Sequence, residues 1–300
     1  MNGVISTPVQ IGVGDGATST FELVPNPGEE IAQVWRNDWQ GNQLLYQTPR
    51  TNQFIYSQNF SVSSTGAWQR SQLNVPFDNT VTALDGSMGA YLLTTSTSNA
   101  AHYMDQHVTY APGGATTRYG IFKAGAMNII EVRAYGNPTT AYAGVRVDLN
   151  TGQYNITGTG SNQQTFSVTA SGNGWYKISH PCSFAADTAT DHIFRTLLWN
   201  GTLAAPVQTF AGDGVSGLYC WAQQCEIGGS AGAYIPTVAS QVTTTDYTVD
   251  PTGSVTLATP PVLNAILTWA GTYVYTPVAL SSNFPLNTVI SQYANSPTLL

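Results

Sequence analysis

The chain has 300 residues, enough for two ordinary domains or one large one, and carries 9 Lys and Arg against 16 Asp and Glu for a net charge of −7. Only 8% of its residues are charged, about a third of the usual share, and Ser, Thr, Asn, Gln and Gly supply its polarity instead. With no cluster of Lys and Arg there is no counterion-release term to hold nucleic acid and no basic face for an anionic membrane, and no run of about 18 apolar residues provides a span.

In chain order, the amino terminus MNGVISTPVQIGVGDG has neither a basic start nor an apolar run of signal-peptide length, so Sec-type export is not expected. Asp15-Gly16 predicts a tight turn before a strand at TFELV. IAQVWRND and QLLYQT flank Gln40-Gly41-Asn42 and predict a hairpin. GIFKAG and NIIEVRAY follow as strands, and AGVRVDLN leads through Asn150-Thr151-Gly152 into QYNIT as a second hairpin. FSVTA, GWYKISH, IFRTLLW and GLYCWAQQCEI continue the series. GSVTLAT and NAILTWAG end it, with Asp250-Pro251-Thr252-Gly253 closing a hairpin onto GSVTLAT. These segments are rich in β-branched and aromatic residues, and no window holds helical periodicity with caps over three turns, so the expected class is all-β. Cys182, Cys220 and Cys225 are too few for a disulfide framework and too irregularly spaced for a zinc site. They are expected to be buried small apolar side chains in a protein made in a reducing cytoplasm.

The segments Gly12 to Thr48 and Thr243 to Pro277 each look like half of a small β-unit, whereas the run between them is long enough for a complete sandwich. An insertion is the economical reading, with boundaries near Thr48-Pro49-Arg50 and Ile235-Pro236-Thr237. This gives a discontinuous docking domain from residues 1–49 and 241–300 and an insert from residues 50–240. The segment from Val278 to Leu300, polar and without a strong period, is expected to be an extended arm that orders on a neighbour.

The opening GDGATSTFELV, with the closing DYTVDPTGSVTLATPPVLNAILTWAGTY, resembles a β-rich module recurrent in phage tail proteins. The middle, RTNQFIYSQNFSVSSTGAW, NGWYKISH and GLYCWAQQCEIGGSAGAYIPT, is similar to the jelly-roll, carbohydrate-binding-like modules inserted in phage tail and fibre proteins. The resemblance implies a jelly-roll β-sandwich inserted into a small discontinuous β-domain. It also implies a virion structural protein of the tail or baseplate, made in the host cytoplasm and released by lysis. Its partners would be other phage virion proteins, copies of itself as a trimer or hexamer, and a host-surface glycan.

A sugar-binding sheet face needs aromatic and polar side chains on one side, the first to stack on the ring and the second to bond its hydroxyls. Strand alternation supplies one. If Val132, Val145 and Val147 point inward, then Glu131, Arg133, Tyr135, Tyr142, Arg146 and Asp148 share the opposite parity. Arg133, Tyr135, Tyr142, Arg146 and Asp148 are therefore the candidate carbohydrate-binding residues, although the same face would serve for packing against a neighbouring subunit. Trp68, Trp175 and Trp221, set beside strand residues, are expected in the core.

No catalytic constellation stands out. Glu131, Asp148, Asp187, Asp191 and Glu226 have no spacing that marks an acid/base pair, and His102, His107, His180 and His192 occur without a G-x-S-x-G elbow or an H-E-x-x-H helix. No short-period repeat of a β-helical depolymerase is present. A non-enzymatic protein without a cofactor is expected, apart from a structural Ca²⁺ of the kind jelly-roll modules often hold. Asp78, Asn79 and Asp85 lie in a suitable loop for one and serve equally as turn residues. Two alternatives stay open: a capsid decoration, head-fibre or collar protein whose insert touches only protein, and a polysaccharide hydrolase with two close carboxylates in a cleft.

Overall fold

The computed structural model of the chain describes residues 2–23, 33–38, 41–63, 66–136, 142–159, 162–163, 165–184, 188, 190–249 and 254–274. Among these the regular structure is all strand, as the composition predicts. The Asp250–Gly253 turn, Asp187 and the segment from Val278 to Leu300 lie outside the described residues.

Both ends of the chain build one unit. Asn2–Val13, Ile266–Val274, Gln33–Asp38 and Gly41–Leu44 form a four-stranded antiparallel sheet in that order, and Thr20–Glu22, Ser254–Leu257 and Tyr247–Val249 form a three-stranded one. Leu23, Val34, Leu45, Tyr247, Val255, Leu257, Leu267 and Trp269 fill the space between them. Arg50–Asn52 pairs with Val242–Thr244, so the chain leaves this unit and returns to it side by side. The strand Asn2–Val13 is not among those predicted. Its Pro8 cannot donate to the ladder and sits in the register shift between Ile5 and Val9, where a missing N–H is tolerated.

The GDG segment proves to be a turn device used twice. Asp15 accepts the N–H groups of Ala17 and Thr18 at 2.8 and 2.6 Å and the Thr18 hydroxyl at 2.7 Å, while Gly16 takes a φ of 80°. Asp213 in Gly212-Asp213-Gly214 does the same with Val215 and Ser216, and Gly214 has a φ of 84°. The hydrogen bonds donated to each carboxylate, from Thr18 and from Ser216 above all, hold both pKa values down to about 2.

The middle of the chain forms a sandwich whose principal strands are β1 (Met88–Thr95), β2 (Asn99–Thr109), β3 (Ala115–Lys123), β4 (Ile129–Tyr135), β5 (Tyr142–Asp148), β6 (Tyr154–Thr159), β7 (Trp175–Ser183), β8 (Asp191–Gly201) and β9 (Gly217–Ile227). One sheet runs β6-β5-β4-β8-β2 and the other β7-β3-β9-β1, and every adjacent pair is antiparallel. The chain crosses between sheets from β1 to β4 and again from β6 to β9, the alternation of a jelly roll. β1 and β2 are missing from the predicted strands because MGAYLLTT and NAAHYMDQHVT mix Gly, Asn, Ala and His among the strand formers.

Between the sheets lie Phe54, Phe60, Trp68, Met104, Ile130, Val132, Val145, Val147 and Phe194 together with Phe122, Ile178, Leu218 and the free thiols Cys182, Cys220 and Cys225. Each large apolar side chain here contributes roughly 1.5–3 kcal/mol. Burial pushes the Cys182 thiol up to about 11, which makes it inert. His102, His180 and His192 are all fully buried. His180 stacks on Phe166, and burial lowers its pKa to about 3, so the ring is neutral. Arg118 is also buried and ties the sheets together: its guanidinium donates to the Arg195 carbonyl at 2.8 Å and to the side chains of Thr196 and Gln223.

The outer face of the second sheet is covered. Tyr119, Ile121, Trp175 and Trp221 pack there with Ala83, Ala90 and Tyr234, so Trp68, Trp175 and Trp221 all have structural positions. Arg50, from the strand that enters the sandwich, pairs with Glu226 of β9 at 2.5 Å and with Asp246 of the returning chain, joining three segments in one buried ion network. Burial pulls the Arg50 pKa down, and the charges and hydrogen bonds of Asp246 and Glu226 more than restore it, leaving it above the ordinary value.

Candidate ligand-binding face

The outer face of the first sheet is where the predicted candidates lie. Val132, Val145 and Val147 point into the core, and the residues between them take the opposite side. Register then sets neighbours. Arg133 of β4 stands opposite Gly144 of β5 on one side and Arg195 of β8 on the other, and Arg195 in turn faces Asp105 of β2. Gly144 makes room for this crowding, since a Cβ there would lie 2.6 Å from the Thr157 hydroxyl and 3.2 Å from the Arg133 side chain.

Glu131 is the hub. It is fully buried, although its parity puts it on the outer face, because the side chains around it close over it. Arg133 Nε donates to its Oε1 at 2.6 Å, Arg146 donates to Oε2 through Nε at 3.0 Å and Nη2 at 2.7 Å, and the Thr157 hydroxyl donates to Oε1 at 2.7 Å. Arg133 is itself only 7% exposed. Burial lowers its pKa, and the hydrogen bond and charge of Glu131 outweigh that, for a net rise. Simple alternation, which predicts an open face, is thus corrected at these two residues: they form its floor.

Aromatic rings and guanidinium groups interleave above that floor. Arg133 lies 4.3 Å from the centroid of Tyr142 and donates to the Tyr135 hydroxyl at 3.2 Å, and the two tyrosine rings are 5.6 Å apart at 40°. Arg195 lies 3.8 Å from the Tyr103 ring and 5.2 Å from that of Tyr135, and Arg146 lies 3.6 Å from Trp199. Arg195 also forms an ion pair with Asp105 at 2.6 Å. Such contacts each contribute on the order of 0.5–2 kcal/mol. Tyr103, Tyr135, Tyr142, Arg146 and Arg195 all keep part of their surface in water.

Of the five predicted residues, Arg133, Tyr135, Tyr142 and Arg146 converge on this patch. Asp148 stays at its rim, where its Oδ1 accepts Asn128 Nδ2 at 2.7 Å and the Asn150 N–H at 2.9 Å and so builds the turn into β6. Sequence reading does not reach Tyr103, Asp105, Arg195 and Trp199. IFRTLLW shows by alternation that Arg195 and Trp199 share a side, but nothing local says that β8 runs next to β4.

The other candidates have different partners. Asp191 pairs with His107 at 2.8 Å, and Glu226 with Arg50 at 2.5 Å. Asp78 and Asn79 lie in the strand Phe77–Thr82 and not in the expected loop, with Asp78 accepting the N–H and hydroxyl of Thr80, while Asp85 accepts those of Ser87 in the turn that follows. Among the described residues no group of three His, Cys, Asp or Glu side chains could hold a metal ion. A cleft of about 420 Å³ at the seam between sandwich and terminal unit is lined by Asp38, Asp85, Trp221, Tyr234 and Asp246. Its polar groups are largely engaged: Asp38 with Arg36 at 2.7 Å, Tyr234 with the Ser57 hydroxyl at 2.6 Å, and Asp246 with Arg50.

No protein-family model matches the chain, and no curated protein does. Among solved structures it is similar to the enzymatically active domain of tailspike protein 4 of bacteriophage CBA120, at 11% identity over 59% of this chain and 21% of that one, with a TM-score of 0.35. It is also similar to TmCBM27, a carbohydrate-binding module described for specific mannan recognition, at 10% identity over 53% of this chain and 86% of that one, with a TM-score of 0.29. A third similarity is to carbohydrate-binding modules of the β-sandwich superfamily described as promiscuous in specificity, at 12% identity over 75% of this chain and 97% of that one, with a TM-score of 0.33. The chain spans about a fifth of the tailspike domain. At these scores the likeness carries neither fold nor ligand across to this protein.

Proposed function

We propose that the protein is a non-enzymatic phage virion component of the tail or baseplate that docks through the unit built from its two ends and binds a host-surface glycan with the outer face of the first sheet. The observation that supports the binding role is the lattice of Tyr103, Tyr135 and Tyr142 with Arg133, Arg146 and Arg195 over the buried Glu131. Rings held by guanidinium groups need no ordering when a sugar arrives, which lowers the entropic cost of binding. The virion role is supported by the resemblance of the GDGATSTFELV start and its closing partner to tail modules.

The test is binding of the full chain to an array of bacterial surface polysaccharides, with Tyr135→Ala and Tyr142→Ala alongside. Glycan binding by the native chain that falls tenfold or more in both variants is the expected result. Unchanged glycan binding in the variants would place the glycan site elsewhere, and no binding by the native chain together with impaired particle assembly in the variants would turn the face into a subunit contact and the protein into a decoration or collar component. A density map of the virion decides the station, with the sandwich expected to project from the tail tip or baseplate.

A further inference from the structure

Resting on that reading, we infer that the glycan is acidic, bearing carboxylate or phosphate groups that meet a guanidinium charge left over on this face. Among the described residues of the lattice, three guanidinium groups, Arg133, Arg146 and Arg195, share two carboxylates, Glu131 and Asp105. Arg133 and Arg146 both rest on Glu131, so that cluster has one positive charge in excess.

The surplus is arranged at a cost. Arg133 and Arg195 stand directly opposite each other on adjacent strands, a like-charge pairing that destabilises a sheet. A partly desolvated cation without its own counter-ion is costlier still. An anion arriving from outside relieves both. The distribution of charge over the chain points the same way: with 9 basic residues against 16 acidic, three of the nine are gathered on this one face. Asp148 keeps its charge at the rim, where it accepts Asn128 and Asn150, and among the described ion pairs it makes none with these arginines. His107, in register with Ile193 and so at the Tyr135 end of the sheet, bonds Asp191 at 2.8 Å, and this pair adds no guanidinium to the face. The fork of a guanidinium matches the two oxygens of a carboxylate or phosphate, and the tilted pair Tyr135 and Tyr142 offers ring surface to the sugar that bears it.

The experiment uses the full chain and the polysaccharides that it binds on the array, each compared with its carboxyl-reduced or dephosphorylated form, at low and at high salt. Binding is expected to weaken at least tenfold when the acidic groups are removed and to fall as salt rises; which of the two treatments acts identifies carboxylate or phosphate. Arg146→Gln, which leaves Glu131 and Arg133 as a balanced pair, is expected to lose most of that salt dependence, with a melting curve to check its fold. Should it fail to fold, the treated polysaccharides answer alone. Equal binding to untreated and treated polysaccharides overturns the acidic assignment while leaving glycan binding intact, whereas no binding to any polysaccharide overturns the glycan reading itself.

Discussion

The two outward faces of the sandwich use the same vocabulary of aromatic rings, arginines and buried acids, and they end in different states. Over the second sheet, Tyr119, Trp175 and Trp221 are packed under other parts of the chain, and Glu226 is paired with an arginine from a different segment. Over the first sheet, Glu131 is paired with arginines from its own strand and the next, and the rings above it stay partly in water. A charge network that spans distant segments fixes how they meet. One that is closed within two strands fixes only the shape of the surface it lies under, and that is what a preorganised binding face requires.

Each side of this comparison can be broken separately. The largest effect is expected from Arg50→Ala, which leaves Glu226 and Asp246 buried without their cation and should lower unfolding stability by about 3–5 kcal/mol, read from urea denaturation. A loss below about 1 kcal/mol would mean that the covered face is not held by this network.

Next in size is a pH effect on the same face. Lys177 lies 4.3 Å from the Tyr119 ring, and burial lowers its pKa from 10.5 to about 8. Between these values the unfolded chain binds the proton and the folded chain does not, so stability should rise with pH from about 8 to 10.5, by roughly 3 kcal/mol. Lys177→Met should flatten that rise, and an unaltered slope in the variant would place its origin elsewhere.

The smallest stability change is expected on the open face. Tyr142→Ala should cost about 1 kcal/mol or less in the same denaturation experiment, chiefly its contact with Arg133, while removing glycan binding. A loss as large as that of Arg50→Ala would show that the open face is a structural surface after all.

Much of the local structure is legible from the string alone. The alternation in NIIEVRAY and AGVRVDLN correctly separates Val132, Val145 and Val147 from Arg133, Tyr135, Tyr142 and Arg146, because side-chain parity is a property of the strand itself. The β class follows from composition, and the GDG turn follows from an Asp that can bond its own backbone beside a glycine free to take positive φ. The long first strand escapes notice because its Pro8 reads locally as a breaker, and only the register shift against Ile266–Val274 reconciles it with a sheet.

Which strands become neighbours is decided only in three dimensions. Arg195 and Asp105 are 90 residues apart, and Arg50 and Glu226 are 176 apart. Pairings at such distances are set by the packing of whole sheets, since loop closure and burial are global terms that no short window contains. The sequence alone determined a β-protein with inward and outward sides to its strands. The tertiary structure decided which outward side would be roofed by the rest of the chain and which would keep its tyrosines and arginines in water, because covering a face depends on where the distant ends of the chain come to rest.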